Sequence, residues 1–186
     1  MPFDNEKLAC LKRKDNSNKG SIDPGIRKLV DLLNSWDGYY TTSSCSGRIM
    51  IIELIEKKKD TNFVFVEHKR ANFKRIKESL NKLSKNKFWF KQESLILHVC
   101  CRNLESAEKL LSIVRDSGIK RAGIISLTGR IIIEIIGTEH IETLIAKDRN
   151  LLVDDAFLKA LVEEANIKME KNNKRIKVLC HNLERL

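Results

Sequence analysis

Residues 87–117, KFWFKQESLILHVCCRNLESAEKLLSIVRDS, hold the pattern on which the fold reading turns. Lys87 to Phe90 and Ser94 to Cys101 are two β-type runs about a polar KQE turn, rich in the aromatic and β-branched residues that suit a pleated surface. From Leu104 to Ser117 the period becomes helical, with Ala107, Leu110, Leu111 and Val114 on one stripe and Gly118 placed to close the helix. The local unit is therefore strand, strand, helix.

The same order recurs on both sides. Upstream, RIMIIELIEK (48–57) is β-rich, NFVFVE (62–67) is a second strand across the KKKDT turn, and Arg70 to Ser84 predicts a helix. Phe73, Ile76, Leu80 and Leu83 form its apolar stripe, while Arg70, Lys74, Lys77 and Lys85 fall near the opposite side. Downstream, Ile119 to Leu127 and Arg130 to Ile136 pair about Thr128 and Gly129, and a long helix runs from about Val153 to Asn172 or on to Leu183. An opening helix begins at Pro24, capped by Asp23, with Ile26, Leu29, Val30 and Leu33 inward and its end near Asn34 to Gly38. Tyr39 to Arg48 shows neither period and reads as a loop, and the first twenty residues are polar and expected to be mobile. Together these elements predict one α/β (α+β) domain over residues 1–186. Its sheet is mixed or largely antiparallel, built from repeated strand-strand-helix units and covered by helices. Regular βαβ alternation is absent, which argues against a doubly wound fold.

Composition narrows the class. The 186 residues are 42% hydrophobic, 32% charged and 6% aromatic with two prolines, so a collagenous or disordered chain is excluded. No stretch approaches the roughly 20 apolar residues that span a bilayer, and MPFDNEKLACLKRKD lacks the apolar core of a secretory signal. A soluble, cytoplasmic protein is expected. Its net charge of +10 favours a polyanionic partner. Twelve of the basic residues and only three acids lie between Lys57 and Lys91, a concentration that suits phosphate neutralisation by a nucleic-acid binder. Five cysteines (10, 45, 100, 101, 180) and four histidines (68, 98, 140, 181) match neither a disulfide framework nor a zinc spacing, so no metal is expected.

Several short patterns carry chemistry. Thr41 to Arg48, TTSSCSGR, packs hydroxyls, a thiol, a glycine and an arginine into eight residues. Ser43, Ser44, Cys45 and Ser46 supply donors, Gly47 permits close approach, and Arg48 can fork onto a carboxylate or phosphate. The same residues would also make a polar turn with a buried serine network. Cys45 beside an arginine is a candidate nucleophile, although no His, Asp or Asn stands nearby in sequence to activate it. His68 ends a strand at the margin of the basic region, where it suits a base or a phosphate contact as well as an exposed strand end. His98 sits between Leu97 and Val99, which suits either a satisfied core histidine or a group pre-organised at a cleft. Trp89, between Phe88 and Phe90 and bordered by Lys87 and Lys91, has the aromatic and basic interleaving that stacks a base, although core packing explains the phenylalanines. No G-x-G-x-x-G follows a strand and no P-loop motif occurs, which weighs against hydride and phosphoryl transfer.

The run KGSID…LVDLLNS…YYTTSSCSGRI (19–49) resembles the signature of the tRNA wybutosine-synthesising protein 3 family, including its archaeal Taw3-like members. Matching blocks follow in order at FVFVEH (63–68), KFWFKQESLILHVCCRNLESAEKLL (87–111), SGIKRAGI (117–124), IIIEI (131–135) and VEEANIKMEKNNKRI (162–176), covering most of the chain. The block before His68 departs from the family in carrying Phe63 and Phe65 where a tryptophan is usual, and Ala122 replaces a serine. The resemblance implies an S-adenosylmethionine-dependent methyltransferase acting on the N-4 ring nitrogen of the tricyclic guanosine beside the anticodon of tRNA(Phe). It also implies a fold unlike the doubly wound methyltransferases. On that reading Ser43 to Arg48 bind the cofactor, His98, His68 or a loop hydroxyl handles the acceptor's proton, and Arg70, Lys74, Lys77 and Trp89 meet the anticodon arm. Two rivals remain on sequence alone: a non-catalytic tRNA-binding module, and a thiol-dependent hydrolase built on Cys45.

Overall fold

A computed structural model describes residues 3–12, 22–55 and 61–185. In chain order its elements are α1 (Phe3–Lys12), α2 (Pro24–Ser35), β1 (Tyr39–Cys45), β2 (Arg48–Leu54), β3 (Asn62–Glu67), α3 (Phe73–Ser79), β4 (Lys87–Glu93), β5 (Ile96–Cys101), α4 (Leu104–Asp116), β6 (Arg121–Ser126), β7 (Ile131–Ile136), β8 (Ile141–Lys147), β9 (Asn150–Leu151) and α5 (Asp155–Glu184). The mobility expected of residues 13–20, and Lys57, Lys58 and Lys59 of the basic stretch, lie outside the described residues. The fold is α+β with antiparallel sheets, and it is not doubly wound. No helix among the described residues is long and apolar enough to cross a membrane.

The strands divide between two sheets, and the chain between two compact units. Met1–Ser46, Leu95–Thr138 and Asn172–Leu186 form the first unit, with strand order β1-β5-β7-β6. Every pairing in it is antiparallel. Its core joins α2, α4 and the last turns of α5 to one sheet face. Helix α2 forms because Pro24 presets the first turn and Ile26, Leu29, Val30 and Leu33 recur on one stripe. All four are fully buried, and each such burial stabilises the fold by roughly 1.5–3 kcal/mol. In α4 the inward set is Ala107, Leu110, Ile113 and Val114, so Ile113 rather than Leu111 completes the stripe. On the other side of β1, α1 is attached by polar contacts: Glu6 accepts from the Tyr40 hydroxyl at 3.1 Å and from Arg130 Nε at 2.9 Å. Residues 3–12, within the stretch expected to be mobile, form this helix.

Gly47–Ser94 and Glu139–Lys171 form the second unit, with strand order β3-β2-β4-β8-β9, again wholly antiparallel. Ile49, Ile51, Phe88 and Phe90 pack with Ile76 of α3 and with Leu158, Val162, Ala165 and Met169 of α5. Asn166 lies in that apolar stripe and clamps the backbone of Ala71, accepting its N–H at 2.7 Å and donating to its carbonyl at 3.0 Å.

Three expectations are corrected. Tyr39 to Cys45 is not a loop but strand β1, paired with β5 and interrupted by a bulge between Thr41 and Ser43. Hydroxyl side chains hide the alternation, and the partner strand supplies the ladder that composition does not announce. The KQE run is not a turn, because Gln92 continues the buried alternation of Phe88 and Phe90 within β4. Helix α3 is half the expected length: Asn72 caps it through Lys74 N and Arg75 N, and Arg70 and Lys85 fall outside.

Candidate functional site

Strand β1 leads through Ser46 and Gly47 into β2, so the TTSSCSGR stretch is a strand, a two-residue connection and the start of another strand. The connection is fastened at one residue. Ser46 is 2% exposed. Its N–H and its hydroxyl both donate to Asp23 Oδ2, at 3.1 and 3.3 Å, and its carbonyl accepts from Asn172 Nδ2 at 2.7 Å. Asn172 then accepts Leu95 N–H at 2.8 Å, so one buried amide ties together the place where the chain first leaves the first unit and the place where it first returns to it. Asp23, expected to cap α2, makes no side-chain cap bond there. Gly25 completes the seat, since a Cβ at that position would lie 3.1 Å from the Ser46 Cβ.

The neighbours of Ser46 range from exposed Ser43 to buried Gly47, and Cys45 Sγ lies within 4.8 Å of ligand-type atoms of Asp23 and His68. Ser43 is exposed and sits opposite His98 on β5; Ser44 and Cys45, half-buried, sit opposite Leu97 and Ile96. Gly47 adopts φ +97°, a backbone region that side chains disfavour. Its carbonyl lies 3.2 Å from His68 Nδ1, and because a carbonyl only accepts, Nδ1 carries the proton in that bond. Arg48 donates from Nε to Glu93 Oε2 at 2.9 Å and stands 5.5 Å from the Phe63 ring centroid.

His98 is neither a core histidine nor isolated. Leu97 and Val99 are fully buried, while its ring reaches Glu134 Oε1 on β7 through Nε2 at 3.0 Å.

The basic stretch is arranged differently from its sequence stripe. Arg70 pairs with Glu170 and Lys77 with Asp155, both acids supplied by α5. Arg75 meets Glu67 at 3.1 Å and Lys91 meets Glu142 at 2.6 Å. Lys74 is exposed on α3. Trp89 is half-buried between Ile52 and Leu144 on the neighbouring strands, and its indole Nε1 has no hydrogen-bond partner among the described residues. The paired thiols are unsuited to nucleophilic work: burial pushes Cys101 up to about 12, and burial likewise raises Cys100.

Asn172, Glu93 and Glu134 were not singled out in the sequence, and Asp23 was singled out only as a helix cap. Two had a signal. Glu134 is the one charge in IIIEII, and Asn172 interrupts the apolar stripe of α5. The pairing of Asp23 with Ser46, 23 residues away, had none.

Comparison with known proteins bears on this geometry. The family model described as Methyltransferase TYW3 matches residues 5–185. The tRNA wybutosine-synthesizing protein 3 homolog of Danio rerio is 37% identical over 180 residues, covering 94% of this chain and 71% of that protein. The tRNA(Phe) 7-((3-amino-3-carboxypropyl)-4-demethylwyosine(37)-N(4))-methyltransferase of Archaeoglobus fulgidus is 34% identical over 186 residues, covering 99% and 93%. Among solved structures, the PH1069 protein of Pyrococcus horikoshii matches with a TM-score of 0.90 at 30% identity over 98% of this chain and 96% of that one.

Proposed function

The chain belongs to the family described as Methyltransferase TYW3, and on that premise we propose that it transfers a methyl group, in the cytoplasm, from S-adenosylmethionine to tRNA(Phe). The acceptor is the N-4 ring nitrogen of the tricyclic, wyosine-type guanosine beside the anticodon. The observation that carries this reading is the alignment over 99% of the chain with the Archaeoglobus fulgidus relative, whose name states that acceptor atom. The net charge of +10 is in keeping with an RNA substrate. The family match over residues 5–185 supports taking residues 1–186 as one domain.

The residues present suit the methyl donor. Arg48 and Glu93 form a cation–carboxylate couple, 2.9 Å apart, that complements the carboxylate and ammonium of an amino-acid end. Arg48 holds the carboxylate through its terminal nitrogens, Glu93 holds the ammonium, and Ser43, Ser44, Cys45 and Gly47 add hydroxyl, thiol and backbone donors. Ser46 fastens the segment. When bound, S-adenosylmethionine supplies a methyl made electrophilic by its sulfonium.

The protein's remaining task is to orient the acceptor ring and receive its N–H proton, and oriented binding with a placed base accounts for such rate gains. His98 receives the proton. His68 holds the Gly47 carbonyl and so sets the backbone of the connection. Lys74 meets tRNA phosphate, with Arg70 and Lys77 joining by exchanging Glu170 and Asp155 for phosphate oxygens, and Trp89 stacks on a base.

Incubation of the protein with S-adenosylmethionine and tRNA(Phe) from a strain lacking the enzyme, followed by nucleoside mass spectrometry, tests this directly. A gain of one methyl on the tricyclic nucleoside is expected; an unchanged nucleoside profile would overturn the reading.

A further inference from the structure

Each strand of the first unit's sheet places one residue in a single row: Ser43 on β1, His98 on β5, Glu134 on β7 and Gly123 on β6. Leu97, Val99, Ile133 and Ile135, which alternate with them, belong to the core on the opposite face. His98 and Glu134 are joined at 3.0 Å with side chains 28% and 31% exposed, so the couple is accessible and not a buried ion pair. A carboxylate only accepts, so Nε2 carries the proton of that bond and Nδ1 is the ring's acceptor.

Gly123 adds an independent observation. Its φ is not in the left-handed region, and a Cβ built there would meet nothing within 4 Å. Neither backbone geometry nor packing within the described chain calls for glycine, and glycine within a strand costs stability relative to a β-branched residue. The space beside Glu134 is open and can take a ligand. Ile96, Ile132 and Ile136, partly buried, lie on the same face and border the row. An acceptor–donor couple with an apolar border and a side-chain-free floor complements a flat heteroaromatic ring that carries one N–H.

We propose that this row is the docking site of the acceptor base, with the ring over Gly123, its N–H on His98 Nδ1, and Glu134 acting as the positioning residue for His98. The inference rests on the proposed function. In the reaction the ring nitrogen gains its bond to the methyl carbon as the methyl–sulfur bond breaks, which discharges the sulfonium to a neutral thioether. The ring's N–H proton passes to His98, and the imidazolium so formed is stabilised by the Glu134 carboxylate.

The test uses full-length Gly123→Val, Gly123→Ala and Glu134→Gln proteins with tRNA(Phe) bearing the unmethylated tricycle. Gly123→Val is expected to keep or raise the unfolding temperature and to keep S-adenosylmethionine affinity, while single-turnover methylation falls by roughly a hundredfold. Gly123→Ala, which adds one methyl, should fall by a smaller factor. Glu134→Gln should lower kcat by about tenfold with KM for tRNA and the unfolding temperature unchanged, a split that a structural role would not produce. If the parent methylates and Gly123→Val methylates at its rate, the docking site is overturned while the function stands. If the parent itself leaves the tricycle unmethylated, both fall.

Discussion

The basic stretch from Arg70 to Lys91 and the hydroxyl-rich stretch from Ser43 to Arg48 use their polar atoms in opposite ways. In the first, the chain pairs half of its own cations: Arg70, Arg75, Lys77 and Lys91 each face an acid, and three of the four acids come from α5 or β8, more than 50 residues away. In the second, one buried residue collects three of the bonds. Ser46 takes Asp23 and Asn172, while Gly47 meets His68, Arg48 meets Glu93 and Ser43 stands exposed. A local count of cations thus overstates a binding face, whereas a saturated residue in a polar run marks the anchor about which its neighbours are presented.

The largest expected effect tests the anchor. Asn172→Leu leaves the Ser46 carbonyl and the Leu95 N–H buried without partners, and each such loss costs about 1–3 kcal/mol. Urea unfolding should show a clear fall in midpoint, against a change within about 0.5 kcal/mol for Ser43→Ala at the exposed end of the segment. Equal effects from the two would dissolve the distinction between fastened and displayed residues.

Next in size is Arg48→Lys. Lysine keeps the charge but loses both the Nε bond to Glu93 and the planar fork, so methylation should drop more than tenfold, about 1.4 kcal/mol in transition-state terms, with unfolding unchanged. Turnover at the parent's rate would make the Arg48–Glu93 couple structural only.

A smaller effect bears on the basic stretch. Lys74→Gln should shallow the salt dependence of tRNA binding by about 0.7–0.9 in log–log slope, while Arg70→Gln and Lys77→Gln change it less, because each must first release Glu170 or Asp155. Equal slopes for all three variants would mean that those ion pairs open fully on RNA.

Sequence periodicity was a good guide wherever one face of an element is apolar and the other polar. The stripe of α2, three of the four positions expected in α4, the long helix α5 and the β6–β7 hairpin stand where the sequence put them. It failed where tertiary partners decide. β1 is a strand because β5 pairs with it, and the β8–β9 hairpin turns at Asp148 and Arg149, both with positive φ, without the Asn-Gly signal of such turns. Ser94 and Leu95 carry the chain from one sheet to the other, a transfer no local pattern announces. Of the site, the Ser43–Arg48 segment, His68 and His98 were legible as residue types; their partners Asp23, Asn172, Glu93 and Glu134 come from distant segments and were not.

The smallest effect concerns Glu53, an anion on β2 of the lysine-rich unit that is held by neutral donors. Hydrogen bonds from Ser84, Asn86 and Asn62 keep its carboxyl below the ordinary 4.5, despite the opposing effect of burial. A depressed folded-state value contributes stability above the ordinary carboxyl range, and that contribution fades as pH falls through the folded-state value. The stability gap between parent and Glu53→Gln should therefore be widest near neutrality and shrink on acidification. A gap that widens in acid would show that Glu53 is held by other forces.

Calorimetric titration of S-adenosylmethionine into the parent, Ser46→Ala and Arg48→Lys proteins tests most directly whether the segment binds the methyl donor with Ser46 as its anchor. Ser46→Ala removes one hydroxyl bond to Asp23 but keeps both backbone bonds, so its affinity should stay close to the parent's, whereas Arg48→Lys should bind about tenfold more weakly or worse. Loss of binding in a fully folded Ser46→Ala protein, together with undiminished binding in Arg48→Lys, would contradict the account.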